Sequence, residues 1–136
     1  MAQVLDGDLV DTAFSTNQLA NLERTLDRAS RSTGARFTAY VGELPAERES
    51  ALALHRGSED PDNTVLVAVD PANRLVEIVT GSEVREHLDD EACKLATLAM
   101  ISRFSIGDIA AGIRDGVVVL GDHARSLRVL HTEEPN

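Results

Sequence analysis

The sequence predicts an α/β protein: a three-layer α/β/α sandwich in which a small mixed β-sheet carries helices on both faces. Three observations lead there. Val65, Leu66, Val67, Ala68 and Val69 are apolar on both alternating faces, as a central strand covered from two sides must be. Residues 36 to 69 read strand, helix, strand, an order that implies a parallel pair joined by a right-handed crossover. A turn at residues 71–74 then returns the chain as Leu75 to Thr80, an antiparallel neighbour.

Taken in order, residues 1–14 form an acidic N-terminal extension without periodicity, in which Leu9 and Val10 are a candidate edge strand. A single domain is expected over residues 15–130. Ser15 and Gln18 have the spacing of a capping box, where hydroxyl and amide satisfy free N–H groups at a helix start. Leu19, Leu22, Leu26 and Ala29 follow at helical spacing, and Gly34 suits a left-handed stop. Residues 36–41 alternate in polarity and make the first strong strand. Pro45 fits the first turn of a helix running to Arg56, with Gly57 ending it. Residues 58–62 form a polar loop before the central strand. A helix from Leu88 to Arg103 places Ala92, Leu95, Ala96, Ala99 and Met100 on one side. Ser105 and Asp108 open a last helix with Ile106, Ile109, Ile113, Val117 and Leu120 inward. Gly112, Gly116 and Gly121 each cost about 1 kcal/mol against alanine there. They are expected where that helix lies close to the sheet, or where it breaks near Gly121. Residues 131–136 read as a frayed, flexible tail.

Composition narrows the function classes. Thirteen basic against 23 acidic side chains leave a formal charge of −10. That sign opposes nucleic-acid backbones and anionic membrane surfaces, which are bound through lysine and arginine. Aromatic residues are 3% of the chain, with no tryptophan, so a base-stacking platform is not expected either. Cys93 is the sole cysteine, which excludes an internal disulfide and a cysteine-based zinc cluster. No segment reaches the ~18 apolar residues of a membrane span, and the first residues lack the basic and apolar regions of a signal peptide. A cytoplasmic protein is the resulting expectation.

With these elements in place, the chain resembles a TPM domain, the module also called a TPM-phosphatase domain, from Asp11 to Leu120. Its Asp-x-Ala step before a capped helix corresponds to Asp11, Thr12 and Ala13. The threonine–glycine pair before its first strand corresponds to Thr33 and Gly34. Its central and return strands correspond to Asn63 through Leu66 and to Arg74 through Gly81. Its two helix starts correspond to Leu88, Asp89 and Asp90, and to Phe104 through Asp108. The chain departs from the pattern at Thr64, in place of glycine, and at Ser102, in place of proline. Gly81, Ser82 and Glu83 are shorter than the usual glycine-rich segment. Many relatives carry a signal peptide and a membrane helix that this sequence does not show, so it looks like a soluble, actinobacterial-type branch.

The resemblance carries over Asp11, Asp90 and Asp108 as an acidic metal site, with Asp70, Glu83 and Asp89 as auxiliary carboxylates. If the helix starts converged, these oxygens would suit Ca²⁺ or Mg²⁺, and a bound cation could polarise a phosphoryl group. The competing reading is that each carboxylate caps its own helix, at about 0.3–1 kcal/mol. His87, beside the acidic helix start, is a candidate general acid. The run Asp60, Pro61, Asp62, Asn63 fails as an EF-hand, since its sixth position is Val65 and its twelfth Pro71. With no nucleophile–base pair readable, the first expectation is a non-catalytic protein-interaction or complex-assembly module. Its setting is a protein partner at a membrane complex, as in the TPM family. The alternative, implied by the family, is a weak divalent-cation-dependent acid phosphatase.

Overall fold

A computed structural model describes the backbone of residues 3–6 and 14–132, and side chains over residues 14–125. The elements run β1 Gln3–Asp6, α1 Thr16–Thr33, β2 Arg36–Val41, α2 Arg48–Arg56, β3 Thr64–Asp70, β4 Leu75–Thr80, α3 Asp90–Phe104 and α4 Ile109–Thr132. The four strands lie in sequence order, β1 and β2 parallel to β3 and β4 antiparallel to it. The edge strand is therefore residues 3–6; Leu9 and Val10 lie outside the described residues.

β3 is buried along its whole length because it separates two cores. Val65, Val67 and Val69 join Phe37, Ala39 and Val41 beneath α1, α4 and α3. Leu66 and Ala68 meet Leu44, Ala51 and Val79 beneath α2 on the other face. This is the predicted three-layer sandwich. The β2–β3 pair is parallel as expected, and the two parallel connections differ in hand. β1, β2 and β3 step across the sheet in one direction, yet α1 and α2 cover opposite faces, so their two crossovers have opposite hands. One of them is left-handed, against the strong general preference.

Most element starts follow the sequence. Ser15 accepts the Gln18 N–H at 3.0 Å, and the Gln18 side chain accepts the Ser15 N–H at 2.8 Å. Gly34, at φ +85°, closes α1 through its N–H to the Ser30 carbonyl. The start of α2 differs. Glu47 has φ +52°, which no helix accommodates, so the helix begins at Arg48 rather than in the turn at Pro45.

The α3–α4 pair also corrects the reading. Ala92, Ala96 and Met100 form the buried row of α3, while Leu95 points to solvent. On α4, Ile113, Val117 and Leu120 are buried, but Ile106 is 74% exposed because it sits in the turn before the helix. Gly112 and Gly116 face α3 rather than the sheet. A Cβ at Gly112 would lie 2.3 Å from the Phe104 ring, and one at Gly116 would lie 2.7 Å from Met100. The glycines let the two helices close on each other. α4 runs unbroken through Gly121, where a Cβ would make an ordinary 3.5 Å contact with Ala29.

Candidate functional site

The sandwich has two polar ends, and the candidate carboxylates divide between them. Asp70 ends β3 at the carboxyl edge of the parallel strands. It is 1% exposed. It accepts the Leu44 N–H at 3.0 Å, the Asn73 N–H at 3.2 Å and the Asn73 side-chain amide at 3.0 Å. Burial alone would raise its pKa. The Asn73 side chain and the backbone N–H groups of Leu44, Asn73 and Ala72 outweigh burial and hold it below the ordinary carboxylate value. Asp70 thus ties the β3–β4 turn to the loop leading into α2.

Asp108 lies at this same end. It caps α4 by accepting the Ala111 N–H at 3.2 Å, and its own N–H reaches the Arg103 carbonyl at 3.1 Å. Asp89 caps α3 at the other end, accepting the Ala92 N–H at 3.0 Å, and Asp90 follows as the first helical residue. Arg103 is 13 residues beyond Asp90 on α3. At 1.5 Å per residue, Asp90 and Asp108 therefore stand about 20 Å apart. One cation cannot bind both, and the expectation that these helix starts converge is corrected by the length of α3. Asp11 lies outside the described residues. Among the described residues, no three His, Cys, Asp or Glu side chains are grouped to hold a metal.

At the amino edge, a recess of about 450 Å³ is bordered by Glu83, Glu86, His87, Asn63 and Gly34. Gly81 has a steric role beside it: a Cβ there would lie 2.0 Å from the Pro61 carbonyl oxygen and 2.3 Å from that of Asp62. The short segment at residues 81–83 is pressed onto the 61–63 turn, and the Glu83 N–H bonds the Asp62 carbonyl at 2.9 Å. His55, given no role by its sequence context, is buried, and its Nε2 donates to the Thr64 carbonyl at 2.9 Å. It joins α2 to the start of β3. Cys93 is half-buried, and burial, followed by Asp90 and Asp89, pushes its thiol pKa up, away from thiolate chemistry.

The surface outside the helical core has a different character. α1, α4 and α3 lie side by side over one face of the sheet. Helices about 8–10 Å apart outspan strands about 4.8 Å apart, so α3 projects past β4. Beneath that overhang is a groove of about 560 Å³ between the β4 edge and α3, with Arg48 and Glu77 paired at 3.0 Å on its far side. The outer side of α3 presents Leu95, Leu98 and Ile101 on successive turns, with Leu98 64% exposed. Ile106 and Val118 are exposed as well. The signal was present in the sequence: Leu95, Leu98 and Ile101 fall off the Ala92–Ala96–Met100 row, so α3 is apolar on two sides while only one can be buried.

Comparison with known proteins bears on the fold more than on the chemistry. A family model described as a domain of unknown function (DUF5130) matches residues 2–121. Uncharacterized proteins from two strains of Mycobacterium tuberculosis are each 32% identical over 108 residues, 79% of this chain and 65% of theirs. The chain thus spans about two thirds of the length of these curated relatives. An NMR structure of a protein from the psychrophilic bacterium Bizionia argentinensis superposes with a TM-score of 0.72 at 13% identity, over 87% of this chain and 86% of that one. The N-terminal domain of a P. gingivalis protein gives 0.70 at 23% identity, over 98% and 87%. These likenesses show a shared fold.

Proposed function

The chain belongs to the DUF5130 family of unknown function, and from that premise we propose that it is a non-catalytic protein-interaction or complex-assembly module acting through the outer face of α3. The observation that carries this reading is the exposed stripe of Leu95, Leu98 and Ile101. A helix this apolar on its solvent side is characteristic of a surface that another molecule covers. The edge of β4 runs beside the stripe. Val76, Ile78 and Thr80 direct their backbone groups outward there, since Gly81 pairs inward with Thr64 and Arg48 reaches the Ile78 carbonyl from outside at 3.4 Å. An edge and an apolar helix side by side suit strand addition or helix docking by a protein partner.

The finer affiliation with TPM domains is part of the same proposal. It is supported by the elements on which the quoted motifs fall: Asn63 through Leu66 enters β3, Arg74 through Gly81 covers β4, and the two acidic motifs open α3 and α4. A membrane complex as the setting rests on that affiliation. Among the described residues no helix is long and apolar enough to cross a membrane. The divalent-cation-dependent phosphatase reading draws no support from the geometry, because Asp90 and Asp108 serve different ends of α3.

The test is affinity capture from the native cell, comparing the wild-type chain with Leu98→Glu and Ile101→Glu. A partner recovered reproducibly with wild type and lost with both variants is expected. No specific partner, together with aryl-phosphate hydrolysis that depends on Ca²⁺ or Mg²⁺ and fails in Asp108→Ala, would reverse the reading.

A further inference from the structure

A third cavity, of about 370 Å³, opens at the carboxyl edge of the sheet, between the β3–β4 turn and the end of α3. Its apolar walls include Val69, Val76, Ile101 and Phe104, and its polar members are Asp70, Arg74 and Ser105. Small-molecule sites commonly have this volume, mostly apolar walls and few polar groups. The position is also where open α/β sheets receive ligands, at the carboxyl ends of parallel strands.

Arg74 sets the chemistry. Among the described residues its guanidinium has no ion pair, whereas Arg103, on the helix beside it, is held by Asp115 at 2.8 Å. The nearby carboxylate of Asp70 is engaged by the donors of Leu44 and Asn73. The backbone at Arg74 has φ +56°, a left-handed conformation that glycine or asparagine adopts at less expense. The hairpin would close more easily without an arginine. Its side chain nonetheless stands at the cavity, carrying a cation with five donors in a planar fork.

We propose that this cavity binds a small organic monocarboxylate with an apolar body. The carboxylate takes two N–H donors of Arg74, and the body lies against Val69, Val76 and Phe104. The planar fork of the Arg74 guanidinium matches a carboxylate's two oxygens, which a point-charge ammonium does not. The apolar walls distinguish this ligand from a bare inorganic anion, which leaves them uncovered.

The test is an amide chemical-shift titration of the full chain with benzoate, its neutral isostere benzamide and inorganic phosphate. Benzoate is expected to shift the amides of Arg74, Val76 and Phe104 saturably at millimolar concentrations, with benzamide and phosphate weaker by about tenfold or more. Arg74→Gln should weaken benzoate by a similar factor and leave benzamide unchanged. Arg74→Gly should lose benzoate while melting at a higher temperature, since the left-handed strain is gone. Absence of saturable benzoate shifts overturns the proposal. So does benzamide or phosphate binding as tightly as benzoate in the wild-type chain, a comparison that holds whether or not the variants fold.

Discussion

Replacing Asp70 by asparagine changes one oxygen to an amide and nothing in size, yet the hydrogen-bond pattern predicts a large effect. One carboxylate oxygen accepts the Asn73 N–H; the other accepts the Leu44 N–H and the Asn73 side-chain amide. Every contact is a donor, so either orientation of an asparagine amide turns an NH₂ toward another N–H. At least one donor beside the buried Leu44 or the turn loses its acceptor, at about 1–3 kcal/mol, and the remaining bonds lose their charge-assisted share. We expect Asp70→Asn to destabilise the fold by about 2–4 kcal/mol. In urea that is a midpoint shift of at least about 1 M. The pH dependence follows from the depressed pKa: the carboxylate's contribution is complete above its unfolded value of 3.8 and is lost as pH falls through the lower folded value. The gap between wild type and Asp70→Asn is therefore constant above about pH 5 and narrows below pH 4. An asparagine variant within about 0.5 kcal/mol of wild type at pH 7, with no narrowing in acid, would show that water satisfies these donors.

Gly81→Ala should cost more than 3 kcal/mol or prevent folding, because its Cβ meets two backbone carbonyls that cannot rotate away. Gly112→Ala should destabilise by about 1–3 kcal/mol against the Phe104 ring, and Gly116→Ala by less. There the buried but flexible Met100 side chain yields in part, and the helix gains about 1 kcal/mol of propensity; urea denaturation reads both. Leu98→Glu should leave the melting temperature unchanged while abolishing partner capture, as expected of a residue 64% exposed. Added Ca²⁺ should shift the melting temperature gradually, and NaCl at matched ionic strength should reproduce the shift; a saturable Ca²⁺ effect abolished by Asp90→Ala and equally by Asp108→Ala would contradict the separation of Asp90 and Asp108.

The sheet and its layers were legible because they depend on short-range pattern. The both-face apolar run of β3, the Ser15–Gln18 cap and the Gly34 stop state their structure within a few residues, and the chain follows them. What did not carry through depends on distant partners. The left-handed Glu47 has no local signature, since glutamate rarely adopts that backbone. The role of Gly112 and Gly116 required knowing that Phe104 and Met100 face them across the turn. Ile106 matched the helical period of α4, but Gly107 at φ +83° and Asp108 place the turn after it.

The acidic motifs show the same limit from the functional side. Asp89 and Asp90 and, further on, Asp108 occupy similar local settings, each before an apolar helical run, and local similarity suggested a common location. An antiparallel helix pair reverses that inference: the start of the second helix lies beside the end of the first. Two starts separated by one 15-residue helix must therefore occupy opposite ends of the domain. The carboxylates of Asp89 and Asp108 are accounted for as caps, at Ala92 and at Ala111, which is the work each sequence pattern specifies on its own, and Asp90 stands in the first turn of α3, where a negative charge complements the helix dipole. The features without such an accounting are different ones. The apolar outer side of α3 and Arg74, without an ion pair among the described residues, contribute little to this fold as a monomer, and they are where a binding function is to be sought.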